Sequence, residues 1–187
     1  MKREHQRGFS LIEVMVAVAI IAVGLLGLAK VDAMSISEGH VSSVRSVIAM
    51  DVSSLAAAMH SNAVFWADTS NAPATVQMAA QNKTISVSSP STLSASVVPS
   101  GACQNVVCSP VQIAATDLAT FGTALYQAVP LGTVTITCNT APAPVTCSIA
   151  VSWQESSVAI NNSVLNAATN SNGNNSPLQT YSMMVQP

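Results

Sequence analysis

The N-terminal third of the chain changes from a continuous apolar run to a single apolar stripe. From Phe9 to Ala29 the 21 residues are apolar, apart from Ser10, Glu13 and two glycines. As a helix this run would be roughly 30 Å long, which is enough to cross the hydrocarbon core of a membrane. Beyond Lys30 the apolar positions recur mostly every three or four residues, which is the spacing of one helix face; they are Val31, Met34, Val41, Val44, Ile48, Val52, Leu55 and Met59.

We therefore predict one helix from about Phe9 to about Trp66, with two environments. The first half must be buried in lipid or among other helices, and the second half packs its stripe on its own domain. Lys30, Asp32, Glu38, Arg45 and Asp51 interrupt the stripe and are expected to face water. No proline precedes Pro73, so no proline kink is expected.

Two glycines lie in the apolar half of this helix, at positions 24 and 27. Glycine lowers helix stability by about 1 kcal/mol relative to alanine, so Gly24 and Gly27 could permit local melting. They could equally allow close approach of another helix, or be glycines that a membrane helix tolerates.

The rest of the chain predicts a small α+β domain. Ser109, Pro110 and Gln112 form a helix start with a serine cap, and Pro130 ends that helix. Its apolar positions are Val111, Ala114, Leu118, Phe121, Leu125 and Val129. The segments that alternate apolar and polar residues predict antiparallel strands; they are Thr133–Cys138, Cys147–Trp153, a short edge strand Thr84–Ser88, and a last strand around Tyr181, Met183 and Val185.

Three segments lack a strong pattern and are interpreted as loops. They are Ala67–Gln81, Ser88–Gly101 and the Asn- and Ser-rich Gln154–Thr180, which is predicted to be an exposed excursion.

Four cysteines suit an oxidising compartment. Cys138 and Cys147 fall on the apolar faces of neighbouring strands, so a bridge across that hairpin is plausible. Cys103 and Cys108 could close a small loop before the second helix. Four cysteines allow three pairings, and the sequence does not choose among them.

Charge is sparse, which excludes some classes of partner. Only 7% of residues are charged, and beyond Thr69 the charged residues are Lys83, Asp117 and Glu155. Such a surface cannot provide the Lys/Arg footprint that phosphate binding needs, so we expect no direct nucleic-acid partner. Lys2, Arg3 and Arg7 precede the apolar run and favour a cytoplasmic N-terminus.

No enzymatic motif is recognisable, and we expect no catalytic residue, no metal site and no cofactor. His40 and His60 are 20 positions apart, and the HExxH, GxSxG and phosphate-loop patterns do not occur. Asp117 and Glu155 are isolated acids; a solvated helix face is the default for Asp117, with a contact to another subunit as the alternative. Trp153 and Tyr181 are expected in the core, and Met183 with Met184 are expected to fill gaps there.

Glu13 is the most informative residue, because an ionisable group inside a membrane-length helix is costly and usually functional. A short basic leader, Met1–Arg7, ends at Gly8. If the chain were cut after Gly8, the new amine of Phe9 would lie one helical turn from Glu13.

This N-terminus resembles that of the type IV pilins; the matching residues are Gly8, Phe9, Ser10, Leu11, Ile12, Glu13 and Val14. The resemblance implies cleavage after Gly8 by a prepilin peptidase, N-methylation of Phe9, and a role for Glu13 in subunit assembly. It also implies four regions: leader 1–8, apolar helix half 9–29, amphipathic helix half 30–67, and globular domain 68–187.

The finer resemblance is to the PilV type of minor pilin, carried by Ile21–Ala29, Cys108 with Asp117-Leu118 and Pro130, and Val151-Ser152-Trp153. It implies a low-copy subunit that helps prime a pilus beside other minor pilins and the major pilin. Such a subunit crosses the inner membrane once, with a periplasmic domain, and later lies in the pilus at the cell surface. A minor pseudopilin of a type II secretion system and a pilus-tip adhesin are the alternatives.

Overall fold

The computed structural model describes residues 10–68, 73–97, 103, 106–139, 144–154 and 178–187. The chain divides into two compact units, Met1–His40 and Val41–Pro187, and each is described by itself. The architecture is α+β, as predicted: a long N-terminal apolar helix, then an antiparallel sheet and a further long helix.

The long helix α1 spans Leu11–Ser61, and a short helix α2 follows at Ala63–Trp66. The predicted single helix to Trp66 is therefore interrupted once, at Asn62, whose backbone is not helical (φ −113°, ψ 44°). Within the second unit the predicted apolar stripe is buried at Ile48, Val52, Leu55 and Met59.

In the described part of the chain, two more helices with given bounds lie between the strands: α3 at Ser91–Ala95 and α4 at Pro110–Ala128. The predicted start of α4 is confirmed, because Ser109 Oγ accepts from Gln112 N while Gln112 Oε1 accepts from Ser109 N at 2.9 Å. The prediction of a loop over Ser88–Gly101 missed α3, which is a single turn that buries Leu93. One turn is too short to show a helical period in a sequence.

The five described strands are β1 (Thr75–Gln81), β2 (Thr84–Ser89), β3 (Thr133–Asn139), β4 (Thr146–Gln154) and β5 (Leu178–Val185). They form one antiparallel sheet in the order β2-β1-β3-β4-β5. The edge position predicted for Thr84–Ser88 is confirmed. The loop predicted over Ala67–Gln81 is wrong for Thr75–Gln81, which is β1.

Strand β1 was missed because the turn that pairs it with β2 lacks glycine. Asn82 and Lys83 both have positive φ angles, 49° and 63°, as a two-residue hairpin turn of the right twist requires. Asn-Lys is a weaker turn signal than Asn-Gly, since lysine has a Cβ that disfavours this backbone conformation.

The sheet has one apolar and one polar face. Val134 lies opposite Val151, and Ile136 lies opposite Ile149, all fully or almost fully buried. These side chains, the stripe of α1 and the inner face of α4 form one hydrophobic core. The other face consists mainly of Thr, Ser, Gln and Ala side chains.

Both cysteine pairs that the sequence suggested are disulfides in the structure. Cys138 is bonded to its cross-strand neighbour Cys147, and both are buried. Cys103 is bonded to Cys108 immediately before α4.

The interpretation of Gln154–Thr180 as an exposed excursion falls mostly on residues 155–177, which lie outside the described residues. At its two ends the interpretation is wrong, since Gln154 ends β4 and Leu178 begins β5.

Candidate functional site

The first unit presents an apolar helix surface to its surroundings. Between Leu11 and Leu28 each large aliphatic side chain of α1 is at least half exposed. Within the described chain this is one helix long and apolar enough to cross a membrane, by length and composition. Because such a surface is unfavourable in water, it needs lipid or neighbouring helices to cover it.

Glu13 lies in the first turn of this apolar helix. Its backbone N–H donates to the carbonyl oxygen of Ser10 at 3.0 Å, and that of Val14 donates to the same oxygen at 3.3 Å. The exposed apolar residues Ile12 and Val14 flank Glu13 in the sequence. Gly8 and Phe9, the predicted cleavage and methylation residues, lie outside the described residues, so the structure places only Glu13 of this set.

The two glycines of the apolar half have open space beside them. A Cβ at Gly24 or at Gly27 would meet nothing within 4 Å. The glycines therefore do not serve packing inside the first unit, which leaves local melting, approach by another helix and simple tolerance as the explanations.

The second unit contains a cleft that the sequence analysis did not anticipate. Asp51 of α1 and Asp117 of α4 line the same cavity of about 140 Å³, together with Leu55, Thr120 and Phe121. Burial raises the pKa of Asp51 and that of Asp117 above the ordinary value. Asp51 Oδ2 is fully buried and has no hydrogen-bond partner. Asp51, which the sequence analysis placed among the residues that can face water, is thus only partly exposed, because residues of α4 line the same cleft.

A larger, mostly apolar cavity of about 460 Å³ lies where α2, α3 and the start of α4 meet. Phe65, Leu93 and Val111 line it, with Asp68 as its charged residue. The rings of Phe65 and Trp66 pack edge to face, and their centroids are 5.0 Å apart. Asp68 and Thr92 are the polar side chains among the residues that line the cavity, and the other residues of the lining are apolar.

Other residues considered for chemistry are separated or structural. His40 and His60 are exposed on α1. Among the described residues no three His, Cys, Asp or Glu side chains are grouped to hold a metal ion. Trp153 is buried and Tyr181 packs against the core, as predicted. Met183 also packs there, but Met184 is 73% exposed, so the prediction that it fills the core is wrong.

Met184 is exposed because of its strand parity. Adjacent residues of a strand point to opposite faces of the sheet, so only one residue of the Met183-Met184 pair can face the core. Met183 lies opposite Ile149 on the apolar face, whereas Met184 lies opposite Ser148 on the polar face.

Comparison with known proteins places the N-terminus in a described class. Residues 3–29 match the family model of the prokaryotic N-terminal methylation motif. No curated protein and no solved structure matches the chain. The matched residues include Gly8, Phe9 and Glu13 and most of the exposed apolar run.

The motif and the long apolar helix indicate a membrane-anchored chain displayed on a pilus-type fibre. The motif further implies processing by a prepilin peptidase and assembly with other pilins. Proteins of this class are structural subunits. At its N-terminus the chain is thus similar to the type IV pilins and pseudopilins.

Proposed function

We propose that this protein is a minor type IV pilin that helps prime pilus assembly and is incorporated into the fibre, at or near its tip. The observation that carries the proposal is Glu13, an acid within an exposed helix surface that is otherwise apolar along its first half. An ordinary single-pass anchor would have no use for this carboxylate, which costs free energy in lipid.

The proposed mechanism begins with cleavage after Gly8. Cleavage frees the amine of Phe9, and this amine, once methylated, remains positively charged. On assembly it pairs with Glu13 of a neighbouring subunit. An ion pair of this kind is worth about 1 kcal/mol in water, but in an apolar bundle its loss strands a charge at a cost of several kcal/mol. The pair therefore selects one axial register between neighbouring helices.

The four regions then have separate tasks. Residues 1–8 form the leader that is removed, and residues 9–29 hold the subunit in the inner membrane and later in the fibre core. Residues 30–67 connect this segment to the domain 68–187, which lies in the periplasm before assembly. Other minor pilins and the major pilin are the proposed partners.

Three single substitutions test the proposal in a cell that carries the intact system. Gly8→Ala should leave the leader attached, which is visible as a slower band on a gel, whereas Gly24→Ala should be processed normally. Glu13→Ala should insert into the membrane but lower incorporation into fibres at least several-fold. Glu38→Ala, which removes an exposed acid farther along the same helix, should assemble like the unmodified protein.

Normal processing of Gly8→Ala would reject the cleavage site, and normal assembly of Glu13→Ala would reject the mechanism. Deletion separates the finer roles: loss of pili indicates priming, and intact pili with altered adhesion indicate a tip adhesin. A defect in protein secretion with unchanged pili would instead identify a minor pseudopilin of a type II system.

A further inference from the structure

The middle of α1 contains a serine-rich segment, residues 35–43, that has the composition of a weak helix. Four of its nine residues are serine, and a fifth is Gly39. Serine favours a helix less than alanine because its hydroxyl competes for backbone hydrogen bonds, and glycine is the poorest helix former apart from proline. Glu38 has no Lys or Arg three or four positions away in either direction, so its carboxylate forms no stabilising ion pair along the helix.

Burial in the core does not compensate for this weakness. Seven of the nine residues are exposed, and the other two, Ser37 and Val41, are half-buried. The first buried residue of α1 is Ile48, where the helix begins to pack on the core. Most of the stability of a helix in a protein comes from the packing of an apolar face, so the serine-rich segment has little to keep it helical.

Gly39 has no packing reason to be glycine. A Cβ at this position would meet nothing within 4 Å. The effect of Gly39 is therefore on the backbone alone, whose helical conformation it makes less favourable. The boundary between the two compact units also falls in the serine-rich segment, because the first unit ends at His40 and the second begins at Val41.

The surroundings of α1 decide where the helix can open. Opening releases backbone N–H and C=O groups, which need water or another hydrogen-bond partner. Near Gly24 and Gly27 the helix surface is apolar, and lipid around it offers the released groups no partner. The serine-rich segment follows the apolar run and is polar and exposed, so water can bond to its backbone. We propose that α1 opens locally at the serine-rich segment, which acts as a hinge.

A hinge at this place suits the transfer of a subunit from membrane to fibre. During transfer the apolar half of α1 exchanges lipid for neighbouring helices, while the domain meets other domains. Local opening lets the helix on either side of the serine-rich segment adjust separately. This use of the hinge rests on the proposed function, whereas the opening itself does not.

Hydrogen exchange of the full-length chain in detergent, followed by mass spectrometry, measures the opening. Amides of the serine-rich segment should exchange on the order of ten-fold faster than those of residues 15–28 and 48–59. The double variant Gly39→Ala, Ser42→Ala should slow exchange in the segment several-fold, because alanine strengthens the helix. Ser53→Ala, on the packed half of α1, is the matched control and should leave the segment unchanged.

Two results would overturn the opening. One is exchange in the serine-rich segment of the unmodified protein that is as slow as in the rest of α1. The other is exchange in the double variant that is as fast as in the unmodified protein.

Incorporation into fibres tests the use of the hinge. In a cell that carries the intact system, the double variant should be inserted and processed normally but incorporated several-fold less. Adding Ser43→Gly to the double variant should restore both the fast exchange and the incorporation. Normal incorporation of the double variant would overturn the role of the hinge. Glu13→Ala should assemble poorly while the segment still exchanges fast, so failure of the hinge and failure of the Glu13 mechanism give different results.

Discussion

The amide of Asn62 joins the end of α1 to the start of α4. Its Nδ2 donates a hydrogen bond of 2.8 Å to the carbonyl oxygen of Pro110, 48 residues later in the chain. Asn62 is 6% exposed, the only polar side chain buried in the described part of the chain. Asn62, at the break after α1, therefore places a buried side-chain amide where it bonds to the first turn of α4.

Asn62→Ala should lower the free energy of unfolding of the second unit by roughly 1–2 kcal/mol, since it removes a buried donor and leaves a small cavity. The measurement is urea unfolding followed by tryptophan fluorescence. Trp66 and Trp153, the two tryptophans of the chain, are both buried in this unit.

Two further variants show whether the lost hydrogen bond causes the destabilisation by Asn62→Ala. Asn62→Asp keeps the shape but cannot donate, so it should be at least as destabilising at neutral pH. Ser53→Ala removes an exposed local bond to the Met50 carbonyl and should be nearly neutral. If Asn62→Ala were equally neutral, the bond would not stabilise the junction.

Gly122 of α4 is required by the close approach of that helix to β2. A Cβ at Gly122 would overlap the carbonyl oxygen of Ile85, and backbone cannot move aside as a flexible side chain can. Gly122→Ala should therefore destabilise the second unit by about 1–3 kcal/mol, although alanine is the better helix former. Gly39→Ala, where a Cβ meets nothing within 4 Å, should cause no such loss in the same fluorescence assay.

The two disulfides should differ in importance. Peptide mapping under non-reducing conditions should recover Cys103–Cys108 and Cys138–Cys147 and no crossed pair.

Replacing both Cys138 and Cys147 by alanine should lower the free energy of unfolding by about 2–3 kcal/mol, because the constraint on the unfolded chain is lost. The cavity left in the core should lower it further, because both cysteines are buried. The Cys103–Cys108 bond closes a shorter loop, and Cys103 is exposed while Cys108 is half-buried, so the matching double alanine variant should cost less.

The cleft between α1 and α4 predicts a pH dependence. Burial raises the pKa of Asp51 and of Asp117 above 3.8, so folding disfavours their charged forms. Their contribution to stability is therefore fully present below pH 3.8 and is lost as the pH rises through the raised pKa values. Asp51→Asn and Asp117→Asn should each raise the free energy of unfolding of the second unit at pH 7 and leave it unchanged at pH 3. The expected gain at pH 7 is smaller than the loss caused by Gly122→Ala.

The test is to measure the free energy of unfolding of each variant and of the unmodified protein at several pH values. In the difference between the two, the contributions of the other carboxylates cancel. Asp32→Asn is the control, because Asp32 lies in the first unit, outside the unit whose unfolding the two tryptophans report. A constant stability difference from pH 3 to pH 7 would contradict the assignment to ionisation.

Local patterns were sufficient where one segment determines its own structure. The stripe of α1, the Ser109–Gln112 capping box and the alternation of β3 and β4 each predicted an element that the structure contains. The phase of Cys138 and Cys147 also suggested their bridge, because strand parity limits which side chains can face the same core. Glu13 was recognisable because a carboxylate within an apolar run needs no tertiary context to be anomalous.

Contacts between distant segments could not be predicted in this way. The sequence by itself determined an apolar N-terminal helix with one embedded acid, followed by an α+β domain of low charge. Only the tertiary structure decided that Asn62 bonds to Pro110, that Asp51 shares a cleft with Asp117, and that β5 follows β4 at the end of the described sheet. These features depend on which elements become neighbours, and that is set by the packing of the whole core rather than by any local pattern.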